Sequence, residues 1–292
     1  MSAPLFIALP GNEAMASRLA TLCGGSTGNL ALSAFPDGES HLRFQDDLAG
    51  RSIVLVCTLA WPDGKIAPLL FAADGARQLG ARKVGLVAPY LCYMRQDRSF
   101  QPGETVTSRS FAALLSHACD WLATVDPHLH RYKSLDEIYS IPARAFHAGP
   151  AIADWIKAHV LRPYLIGPDA ESRQWVGAVA GACGAEFAVL SKQRLGDRTV
   201  QSSPHDLKIP DGATPVLLDD IVSTGATMAE AMRLLGPLSA LPPVAIGIHG
   251  ILSEGAQPIL DCGLVTTNTV PGPAAAIDVS GIIAAGIADL VA

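Results

Sequence analysis

Apolar and polar positions alternate in regular blocks along the chain. Short apolar runs at Leu5–Leu9, Ser52–Leu59, Val84–Pro89 and Trp121–Val125 predict buried strands, and the stretches 13–23, 65–79 and 108–119 between them have helical spacing. After 132–143, which reads as a crossover, the alternation resumes. Ile141–Arg144 leads into a helix at 151–160, strand Tyr164–Gly167, a helix ending near Cys183 and strand Phe187–Leu190. Strand Val216–Val222, broken by two adjacent acids, precedes a helix at 228–235; strands Val244–His249 and Leu264–Val270 and a closing Ala/Ile-rich helix follow. Apolar strands separated by helices with short connections are the mark of a parallel α/β sheet. The pattern predicts an α/β chain of two similar tandem domains, 1–143 and 144–292. Gly24–Gly28 lacks the spacing of a nucleotide-binding glycine motif and is expected to be a loop.

Composition narrows the function classes. Hydrophobic residues make up 49% of the 292 and charged residues 16%, which describes a core-rich globular protein. A net charge of −6 argues against broad nucleic-acid binding, so an anionic substrate must be met by local cations and backbone donors. No membrane partner is expected, because Met1–Pro4 lacks the features of a secretory signal and no apolar run reaches transmembrane length. The six cysteines are scattered without a Cys-x-x-Cys pair, as expected of buried hydrophobes in a reducing cytoplasm.

The densest chemistry lies in Val216–Thr227, where an apolar run ends in Asp219-Asp220 and a Ser-Thr-Gly-Ala-Thr turn opens a helix. Helix-start N–H groups lack intrahelical partners and sit at the positive end of the dipole, so the turn suits a phosphate. Ionised carboxylates only accept hydrogen bonds and sugar hydroxyls donate them, so the pair suits a ribose. Other polar segments also follow strands: Tyr90–Phe100, Asp126–His130, Pro168–Arg173, and Ser191–Arg198, whose polar continuation to Pro210 suggests a lid. Taken singly, each is also readable as a surface turn, a helix cap or a solvated charge cluster, and spacing does not choose between His128 and His130 as a metal ligand.

Taken in order, Phe-x-Asp-Gly-Glu, Tyr-x-Arg-Gln-Asp, Val-Asp-x-His, Pro-Asp-Ala, Lys-x-Arg and Asp-Asp-Ile-x-x-Thr-Gly-x-Thr resemble the ribose-phosphate pyrophosphokinase family over almost the full chain. The resemblance implies two phosphoribosyltransferase-type domains in a cytoplasmic homo-oligomer. Its activity would transfer the β,γ-diphosphate of Mg-ATP to ribose 5-phosphate. By position, Phe35, Asp37, Gly38, Glu39, Arg95 and Gln96 would hold ATP; His128 and Asp169 would hold Mg²⁺; Lys192 and Arg194 would be the catalytic pair. Arg194, Asp219, Asp220, Ser223, Thr224, Gly225, Ala226 and Thr227 would bind ribose 5-phosphate, and His130 would be structural.

The chain departs from the family pattern at Ser223, often Asp, and at Ala226, often Gly, where the added methyl requires an unstrained φ. Glu171-Ser172 stand where glycines are common, implying a bulkier wall, and Gln193 replaces a lid cation. Competing readings are a non-catalytic family member, a phosphoribosyltransferase and a diphosphotransferase for a related sugar phosphate.

Overall fold

The apolar runs become parallel strands and the amphipathic stretches cover them. A computed structural model describes residues 3–194, 200–203 and 207–292, excepting the side chains of 171, 191–194 and 200–203. Two compact units emerge, one formed by residues up to His147 together with Ser280–Ala292, the other by Ala148–Val279.

The first unit contains β1 (Leu5–Ala8), α1 (Glu13–Leu22), β2 (Ser26–Gly28), β3 (Leu30–Ala34), β4 (Ser40–Phe44), β5 (Ser52–Val56), α2 (Asp63–Gln78), β6 (Lys83–Ala88), α3 (Thr107–Ala118), β7 (Trp121–Val125) and β8 (Ala143–Phe146). Six strands form one parallel sheet in the order β2-β1-β5-β6-β7-β8, and β3 and β4 form a separate antiparallel hairpin. Leu55, Leu86 and Leu122 lead its apolar core, against Leu69, Ala72 and Phe111 of the helices. Gly85 provides a flat seat for Trp121, whose indole occupies the space a Cβ there would need.

The second unit contains α4 (Gly149–His159), β9 (Pro163–Gly167), α5 (Arg173–Cys183), β10 (Glu186–Val189), β11 (Ser191–Arg194), β12 (Val200–Ser203), β13 (Thr214–Val222), α6 (Ala226–Leu235), β14 (Val244–Gly250), α7 (Gln257–Asp261), β15 (Val265–Thr267) and β16 (Ala275–Ile277). Its parallel sheet runs β10-β9-β13-β14-β15-β16, with β11 and β12 as an antiparallel hairpin. In both units the second sheet strand lies outside the first, the later four follow in sequence, and a hairpin is inserted before the third. The common plan reproduces the repetition suggested by the sequence. Each sheet reverses strand order beside its first strand, where ligands of open α/β sheets bind at the C-terminal ends.

The last helix, α8 (Ser280–Ile287), belongs to the first unit. Gly286 makes room for the Phe146 ring, and Arg144 Nη1 donates to Gly286 O at 2.7 Å while pairing with Asp289 at 2.5 Å. The sequence division at 143/144 had assigned both Arg144–His147 and this helix to the second domain. Arg144 joins the first sheet by pairing with Ala123 on β7 and meets this helix 142 positions further on, which local periodicity does not carry.

Other expectations are corrected. Asp219 and Asp220 do not break their strand: β13 continues through them, with Asp219 opposite Gly247 and Ile221 opposite His249. Gly24–Gly28 is not all loop, because Ser26–Gly28 pairs with Leu5–Ile7 as an edge strand. Ala143–Phe146 is a strand rather than the approach to a helix. The predicted strand 264–270 shortens to Val265–Thr267, followed by the unforeseen β16. Within the suspected lid, Ser191–Arg194 pair with Val200–Ser203. Among the described residues no helix is long and apolar enough to cross a membrane.

Candidate active site

In the second unit, β13 delivers Asp219 and Asp220 to the C-terminal end of the sheet, beside the end of β9 where Asp169 follows. Asp219 Oδ1 accepts the Asp220 N–H at 2.9 Å, and Asp220 Oδ1 accepts the Ile221 N–H at 2.8 Å. Burial, then the Asp220 carboxylate and its hydrogen bond, and least Asp169, push the Asp219 carboxyl up to about 7. These hard oxygen donors in a site with excess negative charge suit Mg²⁺, which takes carboxylate ligands. The cluster therefore fits the cation that the motifs imply.

Asp169 also has a local task. Its Oδ1 accepts the Ser172 N–H at 3.2 Å, and Ser172 Oγ donates to Asp169 O at 2.6 Å, closing a 3₁₀ turn before α5. Ser172 is turned inward over Gly167, so it does not enlarge a site wall as the sequence suggested. The side chain of Glu171, the other residue of that expectation, lies outside the described residues.

The segment expected to cradle a phosphate is the turn between β13 and α6. Gly225 takes φ +67°, a left-handed conformation that glycine adopts without a Cβ penalty, and Ala226 is the first residue of the helix. The methyl of Ala226 thus avoids the strained position. Ala226 N–H donates to Thr224 Oγ1 at 3.3 Å, and Ala229 N–H bonds Gly225 O at 2.8 Å. The Thr227 and Met228 amides precede that helical bond at the anion-attracting end of the dipole. Thr224, Ala226 and Thr227 are exposed, whereas Ser223 Oγ lies 3.1 Å from Ser253 Oγ and Ser253 N–H donates to Ser223 O at 3.1 Å. The β14–α7 loop thereby buttresses the cradle, a support the motif alone did not reveal.

In the first unit, Phe35, Asp37, Gly38 and Glu39 form the exposed turn of the β3–β4 hairpin. Phe35 meets His41 edge-on at 5.5 Å, and Asp37 Oδ1 accepts the Glu39 N–H at 3.2 Å. Arg95 and Gln96 are exposed after β6, and the Gln96 amide oxygen accepts from Thr107 Oγ1. Beyond β7, His130 Nε2 and His128 Nδ1 are 3.1 Å apart, with ring centres separated by 3.7 Å. His130, expected only to be structural, orients the His128 ring. Lys192 and Arg194 stand two residues apart on β11, and their side chains lie outside the described residues.

A family model for the "N-terminal domain of ribose phosphate pyrophosphokinase" matches residues 5–119, and a "Phosphoribosyl transferase domain" model matches 134–260. A ribose-phosphate pyrophosphokinase of Methanopyrus kandleri is 35% identical over 263 residues, covering 88% of this chain and 89% of its own. The chain belongs to the ribose-phosphate pyrophosphokinase family. A family enzyme of Methanothermobacter thermautotrophicus is 30% identical across 96% of this chain and 98% of its own. The fold matches phosphoribosylpyrophosphate synthetase from Mycobacterium smegmatis with TM-score 0.83 and 21% identity, covering 99% of both chains. The family's two-domain phosphoribosyltransferase architecture is thus present in both sequence and fold.

The raised Asp219 carboxyl makes stability sensitive to pH. The folded state holds a proton that the unfolded state releases between about pH 4 and 7. The stabilisation relative to an unperturbed acid is present below about pH 4 and is lost as pH rises through 7. Asp219→Asn is therefore expected to gain stability relative to the native chain between pH 5 and pH 8, by at most about 3 kcal/mol, with a matching rise in melting temperature. Thermal unfolding at both values tests this; a gap that does not change with pH contradicts it.

Proposed function

We propose that the protein is a ribose-phosphate diphosphokinase, making phosphoribosyl pyrophosphate and AMP from ribose 5-phosphate and Mg-ATP. The observation carrying this reading is the left-handed Gly225 turn opening α6 directly after Asp219-Asp220, which combines phosphate and hydroxyl recognition within one loop. Ser223–Thr227 would hold the 5-phosphate, and Asp219 and Asp220 would accept hydrogen bonds from the sugar hydroxyls. Phe35, Asp37, Gly38, Glu39, Arg95 and Gln96 would position ATP.

The anomeric hydroxyl oxygen forms a bond to the β-phosphorus, the bond from that phosphorus to the α,β-bridging oxygen breaks, and AMP leaves with that oxygen. The hydroxyl proton is released. Lys192 and Arg194 would stabilise charge on the transferring phosphoryl oxygens, with Arg194 also reaching the sugar phosphate. His128 and Asp169 would hold Mg²⁺, with Asp220 as a further carboxylate. When bound, Mg²⁺ neutralises phosphate charge and orients the diphosphate. A cytoplasmic location and a homo-oligomer accompany this reading.

The deciding assay supplies Mg-ATP and ribose 5-phosphate and resolves the nucleotide products. AMP formed only with the sugar, together with a diphosphorylated ribose, is expected; ADP formation or no turnover overturns the reading. Asp219→Ala is expected to raise KM for ribose 5-phosphate by about 10–100-fold, as for lost hydrogen bonds to a charged group, with a much smaller effect on ATP. Equal effects on both substrates would remove Asp219 from the sugar site.

A further inference from the structure

Asp97 ends the Tyr-x-Arg-Gln-Asp segment, but its side chain is not available to a ligand. It is 1% exposed, and both carboxylate oxygens accept from Arg131 Nη1, at 2.7 and 2.9 Å. Arg131 follows His130 directly, so one ion pair joins two loops whose partners lie 34 residues apart. The surrounding contacts reinforce this junction. Tyr132 OH donates to Asp97 O at 3.3 Å and lies 3.2 Å from Ser108 Oγ, while the Ser108 N–H donates to Gln96 O at 3.3 Å. The guanidinium groups of Arg98 and Arg131 lie 4.9 and 5.7 Å from the Phe100 ring centre.

We infer that Asp97 and Arg131 are positioning residues, a clamp holding the Arg95–Gln96 segment in register with the His128–His130 turn. The inference rests on the proposed roles of those loops toward ATP and Mg²⁺. Its physical basis is the short lever: Gln96 adjoins Asp97 in sequence and His130 adjoins Arg131. A charge-assisted bond to a nearly inaccessible carboxylate restricts both neighbours. Displacement of either loop by about an ångström costs up to about 100-fold in a reaction that depends on alignment.

The arrangement also predicts a rescue. One guanidinium nitrogen serves both carboxylate oxygens, so the clamp needs a cation at one point more than a two-nitrogen fork. Arg131→Met is expected to raise KM for ATP and the Mg²⁺ concentration for half-maximal rate by about 10–100-fold, leaving KM for ribose 5-phosphate within about twofold. Arg131→Lys should recover most of that loss. Asp97→Asn preserves side-chain shape without leaving a buried unpaired carboxylate and should reproduce the Met variant's ATP and Mg²⁺ effects. The double variant should be no worse than either single one, because both remove one interaction.

Steady-state kinetics of these variants in the full-length chain, with melting temperatures alongside, test the clamp. Unchanged ATP and Mg²⁺ dependence in Arg131→Met, additive losses in the double variant, or equal losses for both substrates would overturn it. A native chain making no AMP would instead overturn the proposed function, so the two failures are distinguishable.

Discussion

Gly225→Ala is expected to lower kcat/KM for ribose 5-phosphate by about 100-fold, the cost of misplacing a reactant by roughly an ångström. Two effects act together. The left-handed φ of +67° costs an L-residue about 1–2 kcal/mol, and the new Cβ would enter the space of Ile259, whose side chain is fully buried on α7. The turn must open or α7 must yield, and either response moves the amides of Ala226 and Thr227. Ile259→Ala in the same chain should restore part of the activity by relieving the collision, though not the φ strain. Kinetics of both single variants and the double variant decide the matter. Native kinetics in Gly225→Ala would show that the sugar phosphate is held elsewhere.

Lys192→Ala is expected to reduce kcat by about 10²–10³-fold, the effect of removing one preorganised electrostatic contact to transition-state charge. KM values for ATP and ribose 5-phosphate should change little, because the proposed contact strengthens as negative charge develops. Lys192→Ala combined with Arg194→Ala should cost less than the product of the separate losses if the two act on the same phosphoryl group. Turnover near that of the native chain would remove Lys192 from the reaction. Melting temperature provides the accompanying control for loss of folded protein.

The fold was legible wherever one buried run specified one element. Val84–Ala88 and Trp121–Val125 are recognisable as interior strands without knowledge of their neighbours. Ser26–Gly28 was not, because three small residues at a sheet edge have no side-chain pattern and exist as a strand through their pairing with β1. Asp219 and Asp220 were misleading in a different way. Charge suggested an interruption, yet the backbone ladder continues and the acids need only local solvation and amide donors.

The candidate site was readable as motifs but not as a supported structure. The resemblance nominated Ser223, Gly225 and His128; it did not show Ser253 against Ser223 or His130 against His128. The corresponding strand–helix connection of the first unit clarifies the difference. After β5, Thr58 N–H donates to Asn12 Oδ1 at 2.7 Å, and Lys65 Nζ donates to Thr58 O at 2.9 Å. That loop is held at its backbone by side chains of the β1–α1 connection and of α2 instead of forming a short hydroxyl-rich turn. Equivalent positions in two similar sheets therefore carry different chemistry, and sheet topology alone does not locate a phosphate site.

The return of α8 also imposes an order on biosynthesis. The second unit is continuous from Ala148 to Val279, whereas the first needs residues separated by most of the chain: Lys83 Nζ donates to Leu290 O, 207 positions away, at 2.8 Å. All of the second unit is synthesised between the main body of the first and its final helix, so the first can be completed only after the second has been made. The earlier-made sheet therefore waits for its last layer, and a chain cut before Ser280 keeps every residue of the C-terminal unit but leaves the N-terminal one with an uncovered flank.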